Sequence, residues 1–341
     1  MPHPPSKTPP DRSTIAVYGA TGHTGRFVVQ ELIRRGYAVV ALARDAAKLD
    51  ASGYPPEIRR AAVGLDDPAA LDRALAGVGV VVNCAGPFLD TADALVSAAL
   101  RAGAHYVDVA AEQASVQATF ANHDAAAREA GRVVIPAMGF YGALADLLVT
   151  RAMGDWPQAD AVRVGIALDS WNPTEGTRIT GRRNTVRRLV ISEGVLAPIA
   201  DPAPATTWSF APPFGDQDMI ELPFSETILI HRHLAVSTLR GYLNTAPLRD
   251  LRDAATPPPV AVDASGRSAQ TFLVEVEVRR GEEIRRGSAR GQDIYAVTAP
   301  LVVEAVERIL NDPVAPGGVF APGEVFDASD FLAALAPDIS F

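Results

Sequence analysis

The sequence predicts an α/β protein. A doubly wound parallel sheet comes first, a second α+β domain follows, and C-terminal helices return to the first domain. Three observations predict it. From Thr14 to about Thr150, short β-branched runs alternate with alanine-rich helical stretches. A glycine-rich turn follows the first of those runs. Beyond Trp156 the pattern changes to longer segments in which apolar and charged residues alternate.

In chain order, residues 1–13 are proline-rich and read as a flexible tail with no apolar run of the kind a secretion signal needs. Strands are expected at Ile15–Tyr18, Ala38–Ala43, Arg60–Val63, Val78–Cys84, Tyr106–Val109 and Val133–Pro136, with helices between them. Asp67 before Pro68 is a helix start, because the carboxylate can accept from free N–H groups and proline fits the first turn. Gly36, Gly77, Gly103 and Gly131 each precede a strand, where glycine closes a helix at positive φ. Residues 14–150 thus form the first domain and 151–297 the second.

In the second domain, Val162–Leu168 and Phe272–Val278 read as strands. Val274, Val276 and Val278 share one face of the latter, and Glu275 and Glu277 share the other. Gly281 turns the chain, and 283–290 pairs back as a hairpin. Proline-rich segments at 198–213 and 257–259 read as loops. A helix with Pro300 in its first turn runs from Thr298 to about Leu310 and opens the closing segment, 298–341.

Composition narrows the function. The net charge of -9 opposes attraction to nucleic acid or anionic lipid, and no apolar stretch is long enough to span a bilayer. Cys84 is the only cysteine, which rules out an intrachain disulfide and points to a reducing, cytoplasmic setting. Lys7 and Lys48 are the only lysines, so chemistry through a lysine Schiff base is disfavoured.

The turn Gly19-Ala20-Thr21-Gly22-His23-Thr24-Gly25 lies between the first strand and a helix carrying Phe27, Val28 and Leu32. Glycines there permit the sharp bend, the approach of backbone to a pyrophosphate and close helix–strand contact, the marks of a Rossmann-type dinucleotide site. At the end of the second strand stand Arg44, Asp45 and Lys48. Arg44, with Lys48 one turn on, suits the 2'-phosphate of NADP. Asp45 would reverse that preference if it met the ribose, and a solvated surface charge is the alternative reading of Arg44, with NADP the favoured one. After the fourth strand, Cys84-Ala85-Gly86-Pro87-Phe88 offers small residues beside the nicotinamide-side ribose. Cys84 itself reads as a small buried hydrophobe rather than a nucleophile.

These segments, with Ala41-Leu42-Ala43-Arg44, Tyr106-Val107-Asp108 and Glu112, Gly139-Phe140 with Asp146-Leu147, and Gly317-Gly318-Val319-Phe320-Ala321-Pro322-Gly323, resemble the saccharopine dehydrogenase-like oxidoreductase family. The likeness is loose between about residues 160 and 265. It implies a Rossmann domain with a second α+β domain inserted before the final helices, and NADP-dependent oxidation or reduction at a carbon centre. After Gly139-Phe140 the family's usual acidic residue is replaced here by Tyr141, and its usual proline by Leu144.

The reaction expected is hydride transfer to or from a small-molecule C=N, C=C or C=O group. Glu112 and Tyr141 are the candidate catalytic groups. Against them, Glu112 could cap a helix starting near Ser115, and Tyr141 could be interdomain packing. No tyrosine has a lysine four positions on, which excludes the short-chain dehydrogenase arrangement. His231 and His233 would share a face if that region were a strand, but a catalytic zinc normally needs three protein ligands and no third stands nearby. Arg182, Arg183, Arg187 and Arg188 suit an anionic substrate or, alternatively, a solvated face, and replacing Arg182 and Arg183 is expected to raise KM for such a substrate. A homodimer through the exposed sheet of the second domain is expected. A different class of function, an NADP-sensing regulatory protein without catalysis, remains the alternative.

Overall fold

The computed structural model describes residues 14–311 and 316–341, so the tail reading of 1–13 lies outside the described residues. The first region runs β1 (Thr14–Tyr18), α1 (His23–Arg34), β2 (Ala38–Ala43), α2 (Ala46–Asp50), β3 (Arg59–Ala62), α3 (Pro68–Ala74), β4 (Val78–Asn83), α4 (Phe88–Arg101), β5 (His105–Asp108), α5 (Gln113–Ala130), β6 (Val133–Ile135) and α6 (Ala143–Met153). The chain continues through β7 (Ala159–Leu168), α7 (Glu175–Arg183), β8 (Leu189–Ser192), β9 (Val195–Pro198), β10 (Ala205–Ser209), β11 (Asp216–Glu221), α8 (Glu226–His233), β12 (Val236–Asn244), α9 (Thr245–Arg252), β13 (Thr271–Arg280) and β14 (Glu283–Gln292). It closes with α10 (Thr298–Asn311), β15 (Gly318–Val319), α11 (Pro322–Val325), α12 (Ala328–Ala334) and β16 (Ile339–Ser340).

The first sheet has the order β15-β6-β5-β4-β1-β2-β3, every neighbour parallel. Its central strands are buried on both faces, which is why they are near-continuous apolar runs rather than alternating ones. Chain direction through the sheet reverses between β1 and β4, so the loops after these two strands part there and leave the crevice that such sheets use for ligands. Asp67 caps α3 by accepting from the Ala70 amide, and Gly36, Gly77, Gly103 and Gly131 all have positive φ.

The second sheet follows the order β10-β11-β12-β7-β13-β14-β16, with the β8–β9 hairpin attached to β12. β7 lies at its centre, parallel to β12 and antiparallel to β13. Val274, Val276 and Val278 are buried, while Glu275 and Glu277 lie on the half-exposed face. Against β13 and β14 of the second sheet packs α6, covered in turn by α8, α11 and α12, and nine of its residues are buried, including Asp146. A helix apolar almost all round suits a position with core on both sides.

Three expectations need correction. Residues 198–213 are not all loop, because 205–209 form β10. Trp208 there covers Gly165, where a Cβ would sit 2.9 Å from the indole, and its Nε1 donates to Glu275 at 2.9 Å. The closing segment does return to the first region, with α10 on α1 and β15 beside β6, and Arg35, directly after α1, pairs with Glu304 and Glu307. Its last strand, β16, nevertheless joins the second sheet, so this segment ties the two sheets together. Finally, His231 and His233 lie on the helix α8 rather than on a strand, which removes the shared face.

Candidate active site

The cleft between the two sheets has a volume of about 1000 Å³ and runs from the glycine turn, past the ends of β1 and β4, to Phe140 and Tyr141, with α7 along its far wall. Of the residues expected to meet the cofactor, Gly19, Thr21, Gly22, His23, Thr24, Arg44, Lys48, Cys84, Ala85, Gly86 and Phe88 line it. Ala20, Gly25 and Pro87 stand behind that wall. Ala20 is fully buried in the core, and Pro87 precedes α4 after a cis bond.

The turn is built for close approach. Gly19 has φ of +81°, and a Cβ there would lie 2.9 Å from the Ala85 amide nitrogen on the neighbouring loop. A Cβ on Gly25 would fall 2.2 Å from the Gly19 carbonyl oxygen, so this glycine lets helix and strand touch. No side chain caps the N-terminus of α1, and its first turn carries no acidic residue. Free N–H groups and the positive dipole end are therefore available to a pyrophosphate. Two groups the sequence did not single out brace the turn: the Tyr54 hydroxyl donates to Ala20 O at 2.5 Å, and Arg26 Nε donates to Thr21 O at 3.3 Å.

At the ribose end Asp45 is already engaged. Its Oδ1 accepts from the Lys48 amide at 3.1 Å and caps α2. Arg44 and Lys48 are exposed, line the cleft, and make no ion pair among the described residues.

Under the β4 and β5 loops lies a buried polar network. Asn83 Nδ2 donates to the Thr91 and Tyr106 hydroxyls at 3.1 Å each, and Tyr106 donates to Asp108 Oδ2 at 3.1 Å. Asp108 Oδ1 accepts from the amides of Ala110 and Ala137. Burial raises the Asp108 carboxyl to about 6 and pushes the Cys84 thiol up to about 12, which leaves that thiol protonated and unreactive.

Glu112 is nearly fully buried, and both its oxygens are taken. Oε1 accepts from the Phe88 amide at 3.0 Å and Oε2 from the Ala111 amide at 3.1 Å. It occupies the N-cap position of α5 without capping it, so the alternative reading as a cap for a helix near Ser115 does not hold. Burial raises its carboxyl above the ordinary range. Tyr141 stacks on Phe224 with centroids 4.2 Å apart and also touches Phe140 and Trp171. Its hydroxyl is buried at the cleft with no hydrogen-bond partner among the described residues, and burial holds its pKa well above the usual phenol range. Ser225 fixes the chain beneath by donating to Ala110 O at 2.7 Å.

The arginine cluster separates. Arg183 pairs with Asp90 at 2.8 Å, Arg187 donates to Ile199 O, and Arg182 is exposed on the rim. Arg188 alone turns into the aromatic end, where Nη1 donates to Pro223 O at 2.6 Å and the guanidinium sits 4.7 Å from the Phe224 centroid. Nearby, Glu226 Oε1 accepts from the Phe224 amide at 2.8 Å, and burial raises this carboxyl to about 7. Sequence gave no signal for Glu226 or for Tyr295, whose hydroxyl meets Trp171 Nε1 and Thr177 Oγ1 and anchors the start of α7. His233 Nε2 bonds Asp146 Oδ1 at 2.8 Å, away from His231, and no group of three metal-ligating side chains occurs among the described residues. Nor is any helix among them long and apolar enough to cross a membrane.

Comparison with known proteins agrees with this geometry. Residues 15–135 match the saccharopine dehydrogenase NADP binding domain. The chain is 30% identical over 159 residues to a probable mitochondrial saccharopine dehydrogenase-like oxidoreductase of Arabidopsis thaliana, covering 42% of this chain and 35% of that protein. It is also 30% identical over 149 residues to a lipid droplet localized protein of Caenorhabditis elegans, covering 40% and 35%. The match thus spans about a third of the length of these relatives. Among solved structures, apo saccharopine dehydrogenase (L-Glu forming) of Saccharomyces cerevisiae superimposes with a TM-score of 0.68 at 14% identity, over 95% of this chain and 97% of that one, which shows a shared fold. The cytoplasmic location expected from the single cysteine is overturned by relatives named mitochondrial and lipid droplet localized, since a lone thiol cannot distinguish one reducing compartment from another. Residues 15–135 thus carry the likeness to a saccharopine dehydrogenase NADP-binding domain, and the chain as a whole shares the fold of saccharopine dehydrogenase.

Proposed function

We propose that the protein transfers a hydride between NADP(H) and a C=N, C=C or C=O group of a small molecule held at the aromatic end of the cleft, with Tyr141 as proton donor. One observation carries this reading: the cleft runs unbroken from the glycine turn to a buried Tyr141 hydroxyl that has no partner of its own. A buried donor left unpaired costs stability, and such a cost is characteristic of groups kept free for a ligand. The bound nicotinamide supplies or accepts the hydride.

The residues share the remaining work. Gly19, Gly22 and the free amides of α1 receive the pyrophosphate, while Arg44 and Lys48 hold the 2'-phosphate. Glu112 acts as a positioning residue, since its two bonds fix the Phe88 and Ala111 amides that shape the cleft wall. With both oxygens committed it is a poorer donor than Tyr141. Stacking on Phe224 orients the phenol, and the raised pKa keeps it protonated and able to give a proton as negative charge develops on the substrate. Trp171, Phe224 and Phe140 exclude water around it.

The division at residues 14–150, 151–297 and 298–341 and the homodimer stay proposals, to be decided by limited proteolysis and light scattering. The function is tested by following NADPH oxidation against a panel of imines, enoyl compounds and carbonyls. Tyr141→Phe should lower kcat by about 10²- to 10⁴-fold, as expected for loss of a general acid, with NADPH affinity unchanged. Undiminished turnover by the variant would remove Tyr141 from the mechanism. Tight NADPH binding without hydride exchange to any panel member would remove the enzyme reading.

A further inference from the structure

Among the described residues, the aromatic end of the cleft contains one cation that is neither ion-paired nor at the rim. Arg178 is spent on the carbonyls of Leu251, Asp253 and Thr256, Arg183 on Asp90, and Arg182 and Arg252 face solvent. Arg44 and Lys48 belong to the cofactor end. Arg188 is different: its Nη1 is fixed on Pro223 O, its guanidinium carbon lies 4.7 Å from the Phe224 centroid, and it lines the cleft with Nε and Nη2 lacking any protein partner among the described residues. A guanidinium locked this way, with its donor fork free, is organised for a planar two-oxygen anion.

The surroundings set how much charge that anion can carry. Glu112 is committed to the Phe88 and Ala111 amides and Glu226 to the Phe224 amide, so Arg188 has no carboxylate partner of its own among the described residues. A second negative charge on the ligand would find no second cation with a free donor fork at this end of the cleft, in a place where an uncompensated charge is costly. Phe88, Phe140, Tyr141, Trp171 and Phe224 also line the cleft, and they offer flat apolar surface suited to an unsaturated body.

Taking this cleft as the substrate site, we infer that Arg188 seats a single carboxylate, so that the substrate is a monocarboxylic acid whose unsaturated, apolar body lies among these rings beside the Tyr141 hydroxyl. A dicarboxylate or a phosphate ester is the poorer fit. Arg188 thereby sets specificity, whereas Tyr141 serves the chemical step.

The test uses the full chain loaded with NADP+, with ligand binding followed by calorimetry. Benzoate, crotonate and trans-cinnamate are each compared with the corresponding amide, and glutarate and phenyl phosphate serve as dianionic probes. At least one acid should bind roughly 10- to 100-fold more tightly than its amide, the range of a charge-assisted hydrogen bond, and more tightly than either dianion. Arg188→Met should abolish the preference for acid over amide with NADPH affinity intact, and Arg188→Lys should restore part of it. The inference is overturned if no acid binds at millimolar concentration, if acid and amide bind alike, if a dianion binds best, or if Arg188→Met keeps the preference. The wild-type comparison decides the matter even where a variant fails to fold. Failure of NADPH itself to bind would instead overturn the proposed function.

Discussion

Replacing Arg44 by alanine should weaken NADPH binding selectively. In the structure Arg44 and Lys48 are the two cations at the ribose end, both exposed, and Asp45 is withdrawn from ligand contact because its carboxylate caps α2. A charge-assisted hydrogen bond is worth about 1.5–3 kcal/mol, but exposure to solvent and salt screens it, so the lower half of that range applies and the loss is roughly tenfold. Lys48→Ala should add a similar factor, and the two together should approach a hundredfold, because on the proposed assignment each would contact the same dianion from a different backbone position. NADH, which lacks the phosphate, should bind the variants as it binds the wild type. Asp45→Asn keeps an Oδ1 acceptor for the Lys48 amide and should change neither affinity. Calorimetric titration of both cofactors at two ionic strengths supplies the measurement, with the NADPH advantage shrinking at high salt. If Arg44→Ala leaves the NADPH constant unchanged, or if Asp45→Asn shifts the preference, the assignment of the ribose end is wrong.

Gly25→Ala would bring a methyl group to 2.2 Å from Gly19 O, within backbone that cannot yield. NADPH binding should disappear and Tm should fall by several degrees, and a variant that binds normally would refute the packing argument. Glu226→Gln should flatten the dependence of stability on pH. The Glu226 carboxyl rises from 4.5 to about 7 on folding, so its protonated form is favoured in the native state; stability is full below pH 4.5 and is lost as pH climbs through 7. The amide keeps the acceptor for Phe224 N, so in urea denaturation at pH 8 the variant should be the more stable by at most about 3 kcal/mol, and at pH 4.5 the two should coincide. A residual slope from Asp108, raised to about 6, should persist in both proteins, whereas equal curves for the two would remove Glu226 as its source.

The first sheet and its glycine turn were legible in the sequence because their physics is local. An apolar run buried on both faces, a glycine at positive φ and an aspartate before a proline each announce themselves within a few residues. What could not be read depends on distant partners. β10 is a strand because Trp208 has Gly165 to cover and Glu275 to donate to, and neither is visible from the proline-rich segment itself. The helix α8 ends in two histidines whose alternation imitates a strand, yet His233 is held by Asp146, 87 residues earlier.

The candidate site divides along the same line. Its proposed cofactor half lies on two consecutive βα turns and on the loop after β4, so motif and spacing alone were enough to propose Arg44 and the glycines, and only the engagement of Asp45 required coordinates. Its substrate half is assembled from Tyr141 after β6, Arg188 before β8, and Phe224 with Glu226 at the start of α8, residues brought together only when the second sheet closes over α6. Four neighbouring arginines look equivalent in the sequence. Packing alone distinguishes them, by giving Arg183 a carboxylate, Arg187 a carbonyl and Arg182 solvent, and leaving Arg188 with a free donor fork at an apolar wall. The cofactor end is therefore legible from local geometry and the proposed substrate end only from tertiary contact, which is why the family match over residues 15–135 carries NADP binding with it and leaves the substrate to the proposals made at Arg188 and Tyr141.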